Sequence, residues 1–170
     1  PKRFHAPPLP LDELPDIDGL VLSHDHYDHL DEGTIRTLGQ RVQRYFVPLA
    51  VGPRLQNWGI ELDRIQEFDW WQEARLADVT VTAVPAHHFS GRTLADRNST
   101  LWSGWVIASG RERIFYSGDT GYHEGFAEIA RRHGPFDIAL MENGAYDAYW
   151  PMSHMTPEET VRAFKEVDAR

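Results

Sequence analysis

The chain has 170 residues, enough for one domain, and carries 17 basic against 26 acidic side chains, a formal net charge of −9. That balance argues against tight nucleic-acid binding, which needs clustered Lys and Arg to neutralise phosphates, so no nucleic-acid partner is expected. There is no cysteine. Disulfides and zinc–thiolate sites are excluded, and any metal must be held by nitrogen and oxygen. No stretch approaches the ~20 apolar residues that span a bilayer and no signal peptide is visible; a cytoplasmic setting is the expectation, although the chain starts at Pro1.

In chain order, residues 1–15 are Pro-rich and aperiodic and read as an extended arm. Ile17–Leu22 is an apolar run that reads as a buried strand. Asp31 is placed as a helix cap, with Thr34, Ile35 and Leu38 at helical spacing and Gly39 near the stop. Tyr45–Val47 reads as a short strand and Pro53–Trp58 as a short helix. Arg64–Phe68, Glu73–Leu76 and Val79–Val84 are strand-like, the last alternating Val and Thr with a period of two. A polar loop, Ser90–Thr100, leads to strands over Leu101–Ala108 and Arg113–Tyr116. A helix is predicted over 123–132 and a buried strand over Phe136–Met141. Thr156-Pro157-Glu158-Glu159 is a strong helix start, and that helix is expected to run to the end of the chain. Strands interleaved with helices imply a layered α/β protein with a mixed sheet.

Three segments carry chemistry. In Ser23-His24-Asp25-His26-Tyr27-Asp28-His29 a strand leads into a helix. Residues i and i+2 of an extended segment point the same way, so His24 and His26 can grip one ion together. Asp28 and His29 come from the turn that follows and are placed to hold a second ion. Imidazole and carboxylate suit zinc, and less exclusively iron or manganese. Pro85-Ala86-His87-His88-Phe89 sits where the strand Val79–Val84 ends; one of its two histidines can close the first shell. In Ser117-Gly118-Asp119-Thr120-Gly121, glycines flank an Asp at a strand end and let the backbone bring the carboxylate forward. Alone, that turn and either single histidine have ordinary structural readings.

Taken together and in this order, the three segments resemble the metallo-β-lactamase superfamily. The resemblance implies an αββα sandwich, incomplete at both ends, spanning 1–170 as one hydrolase domain. It implies two zinc ions, the first held by His24, His26 and His88, the second by Asp28 and His29, with Asp119 bridging. It also selects His88 over His87. A closer resemblance, carried by SHDHYDHLD, PAHHFSGRTLADRNSTLWSGWVI, IFYSGDTGYHEGFAEIARRHGPFDIAL and NGAYDAYWPMSHMTPEETV, is to the branch containing N-acylphosphatidylethanolamine-hydrolysing phospholipase D and its bacterial relatives. There a histidine near the MSHMTPEE position lies in the active site, and His154 is its match. Glu142-Asn143 departs from that branch, whose lipid-hydrolysing members carry apolar residues at those positions. The family's second site takes one more histidine from beyond the last helix, so a further segment or another chain is expected to supply it.

The reading that follows is a dinuclear zinc hydrolase using a metal-bridging hydroxide on a phosphodiester, small-molecule or lipid, with Asp28 relaying a proton and His154 acting on the substrate. Peripheral membrane contact fits a lipid substrate, with Trp70-Trp71 as one candidate surface, although such a pair more often lies at the core and rim of a domain. The rivals are a lactonase or other small-ester hydrolase, and a metal-binding module without turnover. His5, His123 and His133 are read as structural or solvated.

Overall fold

The computed structural model describes residue 5 and residues 8–170; within the arm at 1–15, residues 1–4, 6 and 7 lie outside that description. Among the described residues two sheets form, and their strand directions differ. The first holds β1 (Ile17–Val21), β2 (Val42–Pro48) and β3 (Ile65–Phe68), all parallel, in the order β1-β2-β3. Helices α1 (Glu32–Leu38) and α2 (Gly52–Asn57) make the crossovers. The second holds β4 (Glu73–Leu76), β5 (Val79–Val84), β6 (Gly104–Ala108), β7 (Arg113–Tyr116) and β8 (Ile138–Leu140) in sequential order. It is antiparallel until β8, which joins β7 in parallel through the crossover helix α3 (Gly125–His133). Helix α4 (Pro157–Glu166) follows.

Period-two burial turns these sheets into layers. Tyr45 and Val47 of β2 pack with Ile35, Leu38 and Leu55 of α1 and α2 on the outer side of the first sheet. Phe46 and Phe68 face the other way and meet Val81, Ala83 and Trp105 of the second sheet. Val106 and Phe115 point out again, against Phe126 and Ile129 of α3 and Ala163 of α4. The result is helices, sheet, sheet, helices: the expected αββα sandwich.

Local signals act as read at both helix caps. The Asp31 side chain accepts from Thr34 N–H, and Thr156 and Glu159 form a reciprocal capping box. Other expectations are corrected. The strand expected from Leu101 begins at Gly104, because the preceding backbone bonds outside the sheet: Leu101 N–H donates to Leu49 O and Ser103 N–H to Ser23 O. The strand expected as buried over Phe136–Met141 is the edge strand β8, with Ile138 and Leu140 47% and 55% exposed. Among the described residues three strands lie opposite the five, and β8 is the outermost of the five. Helix α4 stops at Glu166, capped by Val167, rather than reaching the end.

Trp105 ties the sheets together. It is fully buried, stacks edge-on against Phe68 with centroids 5.4 Å apart, and donates from Nε1 to Leu22 O of the opposite layer at 2.9 Å. Leu22 immediately precedes Ser23 and His24, so this bond also fixes where the His-rich segment starts. Trp105→Ala should lower unfolding free energy by ~3–5 kcal/mol, the range for emptying a large aromatic site. Trp105→Phe should cost less, ~1–3 kcal/mol, chiefly from the buried carbonyl left unpaired. Urea midpoints of the two variants check both values.

Candidate metal centre

The strands β1, β5 and β7 each end in one of the three chemical segments, and the fold brings those ends together. Ser103 N–H donates to Ser23 O at 2.8 Å, His87 N–H to Thr120 Oγ1 at 2.8 Å, and Gly121 N–H to His87 O at 2.8 Å. Two glycines make this junction possible. Gly118 has φ +60°, and a Cβ there would meet Ser23 Cβ at 2.7 Å. A Cβ on Gly121 would collide with the backbone of Met152. The Asp119 turn is therefore pressed between the His-rich segment on one side and the loop before α4 on the other.

At the junction, ring nitrogens converge. His24 Nε2 lies 2.9 Å from His26 Nδ1, and His88 Nε2 lies 3.3 Å from the same atom. Zinc–imidazole bonds of ~2.0–2.1 Å in a tetrahedral shell would set such nitrogens roughly 3.3 Å apart. The spacing is compatible with one cation held by these three residues, the set that the family resemblance implies. Asp119 Oδ2 is 4.0 Å from His88 Nε2 and 3.1 Å from His29 Nε2. Ligand atoms of His24, His29 and Asp119 form a second group within 4.8 Å of one another, and those of His88, Asp119 and His154 a third. Asp119 thus stands between the three-histidine group and His29.

Protonation suits ligation. Burial, reinforced by neighbouring imidazoles, lowers His24 to about 2, and burial lowers His88 to about 4 despite the charge of Asp119. Both are neutral donors at physiological pH. Burial works against the Asp119 charge, but the hydrogen bond and charge of His29 outweigh it and bring the carboxyl to about 2. Burial likewise pulls His29 down, and Asp119 more than offsets it, leaving His29 raised. Outer partners orient the rings. His88 Nδ1–H donates to Ser153 O at 3.0 Å, which leaves its Nε2 lone pair for a cation, and His24 Nδ1 lies 3.0 Å from Ser23 Oγ, a hydroxyl that can donate or accept.

Two placements differ from expectation. Asp28 joins none of the three ligand groups among the described residues; its carboxylate is 66% exposed and lies 3.6 Å from His29 Nε2. His154 is expected to act on the substrate and is not among the ligands that the resemblance implies. It is 15% exposed and offers a nitrogen to the same cluster as His88 and Asp119, with its ring centroid 5.2 Å from that of His88. His87 is in none of these groups among the described residues. His123 accepts from Gly125 N–H at the start of α3, and His133 stacks on Trp71 at 6.3 Å. Trp70 and Trp71 are partly buried in the β3–β4 turn, Trp70 donating to Trp102 O.

Sequence reasoning missed the clamp behind the ligands. Asp25, fully buried between His24 and His26, pairs with Arg54 Nη2 at 2.7 Å and accepts from Gly91 N–H at 2.7 Å. Arg54 also pairs with Asp96 at 2.7 Å, and Arg92 donates to Asp25 O and Leu30 O while lying 3.9 Å over the Tyr27 ring. The loop after His88 is thereby locked onto the His-rich turn. An Asp inside a His-x-His motif was the available signal; its partners, 29 and 66 residues away, gave none.

The chain matches the family described as a beta-lactamase superfamily domain over residues 1–170. It belongs to the metallo-β-lactamase superfamily. It is 49% identical over 168 residues to an uncharacterised protein of Mycobacterium tuberculosis, covering 98% of this chain and 45% of that one. It is 38% identical over 183 residues to N-acyl-phosphatidylethanolamine-hydrolyzing phospholipase D 1 of Caenorhabditis elegans, covering 100% of this chain and 51% of the relative. The chain therefore spans about half the length of these relatives. Among solved structures, Igni18, a metallo hydrolase of Ignicoccus hospitalis, superposes with TM-score 0.71 at 19% identity over 91% of this chain and 61% of that one. CmlA, a diiron β-hydroxylase of Streptomyces venezuelae, gives 0.73 at 20% identity over 93% and 35%. These likenesses show the fold. The superfamily's metal-dependent hydrolase architecture and the His/Asp cluster agree.

Removing the clamp should loosen the cluster without touching a ligand. Asp25→Ala leaves Arg54 with Asp96 and frees the Gly91 amide, and should weaken metal binding ~10–100-fold, the range for outer partners of metal ligands. Competition with a chelator measures this; unchanged affinity would show the clamp to be irrelevant to the site.

Proposed function

We propose that the protein is a dinuclear zinc-dependent hydrolase that cleaves phosphodiesters in the manner of a phospholipase D. The observation that carries the metal reading is the convergence of His24 Nε2, His26 Nδ1 and His88 Nε2 around one point, with Asp119 between that point and His29. The first ion is assigned to His24, His26 and His88, the second to His29 and Asp28, with Asp119 shared. Divalent cations held there supply Lewis acidity and make water a nucleophile at neutral pH.

The chain's own residues do the rest. Asp28, at the solvent side of His29, is placed to orient the incoming water and take its proton. His154, beside His88 and Asp119, is placed to protonate the leaving oxygen. Support for the substrate comes from relatives in Caenorhabditis elegans and Saccharomyces cerevisiae, 38% and 32% identical, both named as N-acyl-phosphatidylethanolamine-hydrolyzing phospholipase D. The loop that carries His154 adds to it. Tyr146, Tyr149, Trp150 and Met152 are exposed there, an apolar rim suited to a lipid or lipid-like substrate and to contact with a membrane surface.

The test is turnover of metal-loaded protein on bis(p-nitrophenyl) phosphate, a phosphatidylethanolamine carrying an N-acyl chain, a lactone and a β-lactam, with elemental analysis of the same sample. Hydrolysis of the two phosphodiesters, abolished by chelation and restored by zinc, is expected. Lactone turnover alone would replace this reading with the lactonase one, and metal without turnover would leave a binding module. His154→Ala should retain its metal and lose ~10²–10⁴-fold in turnover, the range for a positioned acid or base. Zinc titration of metal-free protein should show a tight first step and a weaker second, because the second ion is offered fewer imidazoles.

A further inference from the structure

Glu142 is a buried carboxylate that neither the fold nor the metal set requires. Its side chain is 6% exposed, at the end of β8, directly behind the cluster. It is held from three directions. Its backbone N–H donates to Ser117 Oγ at 2.9 Å, two residues before Asp119. Its backbone carbonyl accepts from Thr160 Oγ1 of α4 at 2.9 Å. Its two carboxylate oxygens then divide their work: Oε2 accepts from Met155 N–H at 3.0 Å, and Oε1 lies 3.1 Å from His154 Nδ1.

We propose that Glu142 is a positioning residue that holds His154 as the Nδ1–H tautomer with Nε2 aimed at the substrate. The proposal rests on the reading of His154 as the group acting on the leaving oxygen. Its geometry is independent of that reading. Burial raises the Glu142 carboxyl above its ordinary range, while the Met155 N–H and His154 favour its charge; in the ionised form it can only accept, and Nδ1 then carries the hydrogen. Nε2 then becomes the nitrogen left for the cluster that contains His88 and Asp119. The Met155 amide bond fixes the carboxylate plane and, being adjacent in sequence, also fixes the backbone on which His154 hangs. His88 is oriented the same way by Ser153 O, but through a neutral carbonyl. His154 Nε2 is then the atom that would take up the proton released by the attacking water and hand it to the leaving oxygen, while Nδ1–H stays on Glu142.

Two measurements test this on the zinc-loaded chain. Nitrogen-15 NMR of histidine-labelled protein should show His154 protonated at Nδ1 and not at Nε2 when neutral. In Glu142→Gln one oxygen must serve two donors, so the single tautomer should give way to a mixture. On bis(p-nitrophenyl) phosphate Glu142→Gln should lower kcat about 10–100-fold with KM and zinc content unchanged, and should add nothing in a His154→Ala background. An Nε2–H tautomer in the unsubstituted protein overturns the proposal without requiring any variant to fold. Additive losses in the double variant also overturn it, by showing that Glu142 acts elsewhere. If His154→Ala alone keeps full turnover, the acid role of His154 fails, and the tautomer result separately decides the hydrogen bond.

Discussion

Three imidazole nitrogens, from His24, His26 and His88, converge on one point inside this protein at 2.9 and 3.3 Å. Burial lowers the proton affinity of His24 and His88, so the convergence is one of neutral rings. The rest of the molecule can be understood as the framework that imposes this arrangement. The strands that carry the ligands end at the same rim, and cross-links between their ends prevent them from splaying. The Trp105 bond to Leu22 O joins the sheets one residue before Ser23, and the Ser103 bond to Ser23 O repeats the join at the next residue but one after Val21. Site and fold therefore share hydrogen bonds, and an error in the packing of the layers would be felt directly as an error in ligand position.

The loop between Ser90 and Thr100 shows the same economy. Read from sequence it is polar and irregular, a segment that connects two strands. In the structure it carries Gly91 and Arg92 to the back of the His-rich turn, where they meet Asp25, and Asp96 closes the circuit through Arg54 of α2. The Asp25 carboxylate has no exposure, and Arg54 and the Gly91 N–H lie against it as its polar partners. That pairing makes the turn rigid where two adjacent histidines need fixed directions.

How much of this was legible depended on whether the signal was local. The His-x-His pair, the Asp31 and Thr156 caps and the period-two strand Val79–Val84 are set by neighbours within four residues, and they stand where expected. His88 could be separated from His87 only through a family resemblance, because both follow the same strand end. What failed needed distant partners. The Leu101–Ser103 stretch looks like strand but spends its N–H groups on Leu49 and Ser23. Ile138 and Leu140 look buried but occupy the outermost strand of the larger sheet. Glu142 stood out only as a charge where an apolar residue was expected; its use is visible only once α4 and the end of β7 are set around it.

Glu142 and Ser153 together explain why one loop orients two histidines with different acceptors. A metal ligand must stay neutral and must keep its lone pair on the metal side; a carbonyl oxygen behind Nδ1–H achieves that without favouring a second proton, and His88 has one. His154 has a carboxylate there instead. The two rings lie 5.2 Å apart and differ both in burial, 1% against 15% exposed, and in the acceptor behind Nδ1. Chain connectivity makes the arrangement economical: Ser153, His154 and Met155 are consecutive, and the bonds to His88, Glu142 and again Glu142 hold that tripeptide in one conformation. The two histidines thus differ in the outer hydrogen-bond acceptors that fix their ring orientation, a carbonyl for one and a carboxylate for the other.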